Sequence, residues 1–410
     1  MRWPAEWRDA GALDLLQGTP LGFLILPSTG GYRDVIDRAR GLDIAICDMD
    51  HPPSGVEMVK GEWPGIRMTP GHGDAASGPT GVPWIDSNGW LVRLSRAQKS
   101  GGTVWVAADP PKSNEIVPLS RHLVAVADGA AHGGRWVVTL DRDLAEGLLA
   151  RKPAALNGWK KLTDAIAFFQ AHSEWNAWPV DAVLAVVSSF SGDNEFFSRE
   201  LLNLMARTNI SYGIVETGGF RAAALNGLRA AIYPDTQPPA AEVRQALLGF
   251  VEQGGLLIVG PKWGAALGAT RGSPLAGQAG GASRYEMRRF GNGRIAMARQ
   301  QPDDPYEMAQ DAQILLSHRY DRVRLFNGFM MGAYATASPD GKRRLTHIVN
   351  YGGNADDDPA TARIAGRFRA AKLWSFESAQ ARQLQMFAQK EAMEVPLPGL
   401  AVYGGVELEA

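Results

Sequence analysis

Over the first 180 positions, short apolar runs alternate with stretches of helical spacing. Residues 21–26 form a run of strand length, followed by Pro27-Ser28-Thr29-Gly30-Gly31 and a helical pattern at 32–40. Further apolar runs stand at 44–47, 66–68, 103–108 and 136–140, and the spacing predicts helices over 119–132, 144–151 and 156–174. Pro83-Trp84-Ile85-Asp86-Ser87-Asn88 leads into another helix ending near Gln98, with Asp86 its expected N-cap. Strands alternating with helices predict a parallel sheet with right-handed crossovers. About five strands are visible, whereas a complete eight-fold barrel takes roughly 250 residues. Residues 1–178 are therefore expected to form a shortened or open TIM-barrel-like domain, or part of a barrel completed elsewhere.

Pro179 opens a second α/β pattern. Strands are expected at 183–187, 212–215, 228–233 and 256–259, with helices at 195–207 and 240–252. This predicts a compact doubly wound domain within residues 179–300. The Gly-, Ala- and Ser-rich stretch 264–282 reads as a mobile loop, and Gly291-Asn292-Gly293 marks a hairpin between 285–290 and 294–299. Residues 301–410 begin with a helix from Tyr306 to about Ser317. They continue as strands at 322–326, 329–335, 344–350, 361–364, 370–374 and 401–408, which suits a C-terminal β-sandwich.

Composition narrows the function classes. The 410 residues are 45% hydrophobic and 21% charged, enough for several cores in a globular protein. A formal net charge of −1 gives no electrostatic case for nucleic acid or an anionic membrane surface. No apolar run reaches membrane-spanning length and the first residues lack an apolar signal core, so a cytoplasmic protein without a membrane partner is expected. The one cysteine, Cys47, excludes an internal disulfide and a Cys-rich zinc site. Its place in an apolar strand makes it a core residue rather than a nucleophile.

Candidate chemistry gathers where strands end, the usual place for ligands in α/β proteins. Asp48-Met49-Asp50-His51 closes the second run, Gly71-His72-Gly73-Asp74 the third, Asp109 the fourth and Asp141 the fifth. Glycoside hydrolysis needs two carboxyl groups, one as acid and one as nucleophile or base. Asp50 and Asp109 are the candidate catalytic pair. Asp48, His51, His72, Trp84, Asp86 and Asn88 are the candidate substrate-binding residues, since polar groups and flat aromatic faces suit a sugar. The competing role for each aspartate is a helix cap or loop hydrogen bond, and Asp143 is expected to cap the helix that contains Leu144. His51 and His72 with Asp50 and Asp74 are metal-ligand types, but no His-x-x-x-His spacing accompanies them, so no metal is assigned. There is no Gly-x-Ser-x-Gly, and the glycine pairs lack dinucleotide spacing, so no cofactor is assigned.

Two stretches carry a family resemblance. The first is Leu228-Arg229-Ala230-Ala231-Ile232-Tyr233-Pro234, a helix, then Phe250-Val251-Glu252-Gln253-Gly254-Gly255-Leu256-Leu257-Ile258-Val259. The second is His347-Ile348-Val349-Asn350-Tyr351-Gly352-Gly353 with the closing Leu397-Pro398-Gly399-Leu400-Ala401-Val402-Tyr403. With the domain order, they resemble the glycoside hydrolases allied to β-galactosidases that carry a trimerisation domain. The resemblance implies a middle domain similar in fold to class I glutamine amidotransferases (flavodoxin-like), a carbohydrate ligand, and homo-oligomerisation through that middle domain. The chain departs from the pattern in two places. Gly260-Pro261-Lys262-Trp263 stands where an amidotransferase places its cysteine, which speaks against that activity. Aspartates occupy the strand ends where β-galactosidases of this type carry two glutamates, so the family's catalytic pair does not transfer. Two readings stand side by side: a glycoside hydrolase using an Asp pair in a cleft at the strand ends, or a catalytically inactive carbohydrate-binding or assembly protein of the same architecture.

Overall fold

The computed structural model describes the chain except for residues 28–29, 70–74, 77–82, 100, 113–114, 267–272, 275–283 and 356–358. In the N-terminal part, β1 (Phe23–Ile25) pairs in parallel with β2 (Ala45–Cys47), and α1 (Arg33–Gly41) connects them. A second parallel set comprises β3 (Val56–Lys60), β6 (Thr103–Ala107) and β7 (Gly134–Trp136). Between β3 and β6 lie the short antiparallel pair β4 (Gly65–Ile66) and β5 (Ile85–Asp86), then α2 (Gly89–Gln98). Helices α3 (Leu119–Ala131), α4 (Arg142–Leu149) and α5 (Pro153–Ala171) complete this part.

The first three residues join the two parallel sets. Ile25 N–H donates to the Met1 carbonyl at 2.9 Å, Trp3 N–H to the Ile25 carbonyl at 2.8 Å, and Arg2 N–H to the Val138 carbonyl at 2.8 Å. The backbone order is therefore β2, β1, residues 1–3, β7, β6, β3. Among the described residues, β2 and β3 pair with nothing on their outer sides, so this sheet stays open. Its two faces differ. Leu24, Val104, Val106, Trp136 and Val138 pack under the helices with Trp159 and Leu162 of α5. Ile25, Trp105, Ala107 and Val137 form a smaller cluster on the other face with half-buried Phe23, Cys47 and Met58.

Several expectations shift here. The third parallel strand is Val56–Lys60, whose Val-Glu-Met-Val-Lys is interrupted by charged residues instead of running apolar. The run at 66–68 contributes only Gly65–Ile66, paired antiparallel to Ile85–Asp86. The last strand is Gly134–Trp136 rather than 136–140. Trp105 and Trp136 are core residues.

The middle part follows its predicted pattern closely. Five parallel strands carry it: β8 (Leu184–Ser188), β9 (Tyr212–Glu216), β10 (Ala230–Tyr233), β11 (Leu256–Val259) and β14 (Gly293–Ala298). They join β12 (Ser273–Pro274) and β13 (Tyr285–Phe290) in one sheet of order β12-β13-β14-β11-β10-β8-β9, with β13 and β14 forming the hairpin. Helices α6 (Glu195–Arg207) and α7 (Ala241–Glu252) precede β9 and β11; α8 (Trp263–Ala266) and α9 (Pro305–Leu316) follow β11 and β14. Most of the stretch at 264–282 lies outside the described residues.

The C-terminal part is two packed antiparallel sheets. β15 (Val323–Phe326), β18 (Thr361–Ala365), β22 (Ala392–Pro396) and β21 (Phe387–Ala388) make one. β16 (Met331–Ala337), β17 (Arg343–Asn350), β23 (Tyr403–Glu409), β19 (Ala370–Trp374) and β20 (Arg382–Gln383) make the other. Ile348, Ala362, Val395 and Val406 are among the residues that fill the space between them.

The three parts share cores. Val349, Tyr351, Val402 and Tyr403 of the sandwich pack into the N-terminal core, and Leu94 of α2 joins that of the middle sheet. A buried carboxylate reinforces the first contact. Asp128 on α3 is fully buried and accepts from Asn88 N–H at 2.8 Å, Asn88 Nδ2 at 3.1 Å and the Tyr351 hydroxyl at 2.7 Å. Burial, then the charge of Asp128, pushes the Tyr351 hydroxyl pKa far up, so it remains a donor. Nearby on β17, His347 is buried with Nδ1 2.9 Å from the Tyr403 hydroxyl.

Two predictions follow from this seam. Tyr351→Phe leaves one buried oxygen of Asp128 without a donor and should cost about 1–3 kcal/mol in urea unfolding. For His347, burial first and His132 second lower the pKa from 6.5 to about 3. As pH falls through 6.5 the unfolded chain takes up this proton and the fold does not. The stability present above that pH is therefore lost progressively toward pH 3, by about 2 kcal/mol at pH 5. His347→Gln should flatten the difference in unfolding free energy between pH 7.5 and pH 5.

Candidate functional site

A parallel sheet delivers all its C-terminal strand ends to one edge. Here the ends of β1, β2, β6 and β7, with the residues after Trp3, surround a cleft of about 770 Å³. Its walls are residues 2–6, 25–27, 48–50, 110–112 and 139–140, with Arg142 and Glu146 of α4. Pro27, Pro110 and Pro111 stand shortly after β1 and β6 and keep the chain from continuing as sheet.

Asp50 lies on this wall, exposed, and its carboxylate has no hydrogen-bond or ion-pair partner among the described residues. Its backbone N–H donates to Asp48 Oδ1 at 2.9 Å. The same oxygen accepts the His51 N–H at 2.6 Å and lies 3.0 Å from His51 Nδ1. The His51 backbone bond, with help from its ring, holds the Asp48 carboxyl below the usual range. Asp48 thus closes the turn that presents Asp50, and His51 is committed to Asp48. Asp109 sits beside the cleft: its neighbours 110–112 line it, while its own carboxylate pairs with Lys60 Nζ at 2.9 Å, both groups being exposed. The Asp109 carbonyl accepts the Trp63 indole N–H at 2.9 Å.

Three other candidates stand at the seam between the three parts instead. Asp86 is gripped by Arg67 through Nε at 3.0 Å and Nη2 at 2.5 Å, with Arg207 3.7 Å away. Trp84 lies under the Arg207 guanidinium at 3.7 Å. Asn88 is buried, accepting the Glu62 N–H at 2.8 Å and donating to the Glu62 carbonyl at 2.9 Å besides its bonds to Asp128. Asp86 does not cap α2, which begins at Gly89 behind Asn88 and has no side-chain cap. His72 and Asp74 lie outside the described residues.

Asp141, not Asp143, caps α4. Its Oδ1 accepts from Asp143 N–H at 3.1 Å and Leu144 N–H at 3.2 Å, and its Oδ2 lies 3.1 Å from His122 Nε2. Burial alone would raise this carboxyl, but the His122 and helix N–H bonds bring it below its usual range. Cys47 is half-buried with Sγ 3.7 Å from the Leu24 carbonyl, and burial pushes its thiol up. Among the described residues, no three His, Cys, Asp or Glu side chains converge as metal ligands.

Sequence reading missed Arg2, Glu6, Lys112, Arg142 and Glu146 on the cleft wall. A signal for the first two exists in Trp3-Pro4-Ala5-Glu6-Trp7. Both tryptophans are buried, meet edge-on at 5.1 Å and are tied by a Trp3 indole bond to the Trp7 carbonyl at 2.8 Å. That clamp fixes the turn carrying Glu6.

No protein-family model matches this sequence, and no curated protein does. Solved structures do. The α-L-fucosidase isoenzyme 2 of Paenibacillus thiaminolyticus aligns over 97% of this chain and 79% of its own, with TM-score 0.51 and 10% identity. A β-galactosidase of Bacillus circulans sp. alkalophilus aligns over 79% of this chain and 58% of its own, with TM-score 0.51 and 12% identity. A rhamnosidase of Novosphingobium sp. PP1Y aligns over 92% of this chain and 38% of its own, with TM-score 0.50 and 12% identity. The chain therefore has a glycoside hydrolase-like fold: a mixed α/β, multi-part structure with a β-rich C-terminal part. It spans about four-fifths of the fucosidase but little over half of the β-galactosidase. No helix among the described residues is long and apolar enough to cross a membrane.

The Asp109–Lys60 pair is solvated on both sides, so its net worth is small. Asp109→Asn and Lys60→Met should each change unfolding free energy by less than about 1 kcal/mol in urea titration. A larger loss would show that the pair holds the strand ends together.

Proposed function

We propose that the protein is a glycoside hydrolase that holds a carbohydrate in the cleft at the strand ends of its N-terminal part. The observation that carries the reading is Asp50: an exposed carboxylate without a partner, presented by a hydrogen-bonded turn on the wall of a cleft of about 770 Å³. The fold likeness to a fucosidase, a β-galactosidase and a rhamnosidase supports the class of substrate. Asp50 and Asp109 take the roles of acid and nucleophile or base. Glu6 faces the same cleft without a partner among the described residues and is the substitute for Asp109 in that pair. Asp48 and His51 position Asp50, and His72 is kept as a substrate-binding candidate. Units at 1–178, 179–300 and 301–410, with self-association through the amidotransferase-like middle unit, belong to the same reading. Light scattering that gives only a monomer at micromolar concentration would remove the self-association.

The open sheet favours a second reading, a catalytically inactive carbohydrate-binding or assembly protein. A barrel that is not closed leaves fewer strand ends to surround a substrate. Hydrolysis of aryl fucosides, galactosides and rhamnosides by the purified chain separates the two. Under the first reading, Asp50→Asn lowers kcat/KM on whichever glycoside is cleaved by at least about 100-fold. Glu6→Gln and Asp109→Asn identify its partner by which one does the same. Full activity in both aspartate variants would sink the assigned pair, and saccharide binding without turnover would select the second reading.

A further inference from the structure

Some charged groups on the cleft wall are committed to partners and others are not. Asp48 is committed to His51 at 3.0 Å, and Arg142 leans on Asp143 at 3.7 Å and Glu146 at 3.8 Å. Among the described residues, the carboxylates of Asp50 and Glu6 have no partner. Two cations also remain. Neither Arg2 nor Lys112 has a carboxylate within 4.0 Å among the described residues.

Arg2 is the more telling. Its backbone is fixed in the middle of the sheet by bonds to Val138 and, through its neighbours, to Ile25. Its guanidinium is half out of water. Among the described residues, Nε is buried without an acceptor and Nη2 meets only the Met49 sulfur, at 3.6 Å. A thioether is a weak acceptor, so it does little to offset this desolvation. Burial lowers the guanidinium pKa, with Asp109 opposing, yet an arginine keeps its charge. On a fixed backbone and short of acceptors, the guanidinium has N–H groups to offer an anion. Lys112, exposed on the stretch after β6, adds a second positive charge on the same wall.

We infer that the sugar bound in the cleft carries an anionic substituent, a carboxylate or a sulfate, which Arg2 and Lys112 receive. This rests on the cleft being the saccharide site. Titration calorimetry with D-glucuronate, D-galacturonate and galactose 6-sulfate, each against neutral glucose or galactose, tests it. The anionic sugars should bind at least about tenfold tighter than their neutral parents, and the preference should shrink with added salt. Preference for the uronates identifies a carboxylate, and preference for the sulfated sugar a sulfate. Arg2→Met and Lys112→Met should each reduce the preference while leaving neutral-sugar affinity unchanged. Lys112 is exposed, so its variant serves even if Arg2→Met fails to fold. Equal or tighter binding of the neutral sugars, or an undiminished preference in Lys112→Met and in folded Arg2→Met, overturns the inference alone. Binding of no sugar of either kind overturns it together with the cleft assignment.

Discussion

The structure depends on one buried carboxylate. Asp128, in the middle of α3, has no exposed surface and is satisfied by three donors from two parts of the chain. A buried ionised group is tolerated only when its hydrogen bonds are made. Asn88 supplies two of them at the start of α2, and Tyr351 supplies the third from the end of β17. The same bonds thus set where α2 begins, hold α3 under the sheet and fix the sandwich against the N-terminal part. Trp84 and Asp86, close in sequence to Asn88, are drawn into this seam with Arg67 and Arg207. That is why three polar and aromatic residues that read like ligand contacts serve architecture.

The cleft, at the C-terminal edge of the open sheet, is lined by none of the seam residues. Its geometry owes most to residues 1–7. Backbone bonds of the first three residues bridge β1 and β7, and the Trp3–Trp7 clamp turns the chain so that Glu6 joins the wall. Without this bridge the two parallel sets would be separate ribbons with separate strand ends. With it, Asp50 after β2, the prolines after β6 and Arg142 after β7 face one space.

Much of this was legible in the chain. The middle sheet could be read almost to the residue, since its strands are continuous apolar runs and its helices carry clear spacing. Glu195–Arg207, Leu256–Val259 and the hairpin at Gly291-Asn292 are where the pattern puts them. The N-terminal sheet was harder. Val56–Lys60 carries Glu57 and Lys60 among its apolar residues because, as an edge strand, it is only half-buried. Residues 1–3 are too few to show any period and are followed by Pro4. In the sandwich, Phe387–Ala388 and Ala392–Pro396 were missed among polar residues for the same reason, being short and near an edge.

The sequence alone determined which segments are helix or strand wherever periodicity was strong, and that chemistry-bearing residues follow the strands. Local spacing sets these, through backbone propensity and the burial of one face. Which aspartates share a cleft was decided only by tertiary structure. Asp48, Asp50, Asp86, Asp109 and Asp141 all follow or end short strands and look alike in one dimension. In three dimensions one closes a turn, one faces the cleft freely, one is clamped by arginines, one pairs with a lysine and one caps a helix. Asp48 and Asp141 bond residues two or three positions on, but Asp86 and Asp109 pair with Arg67 and Lys60 far back in the chain, and no local pattern encodes those pairings.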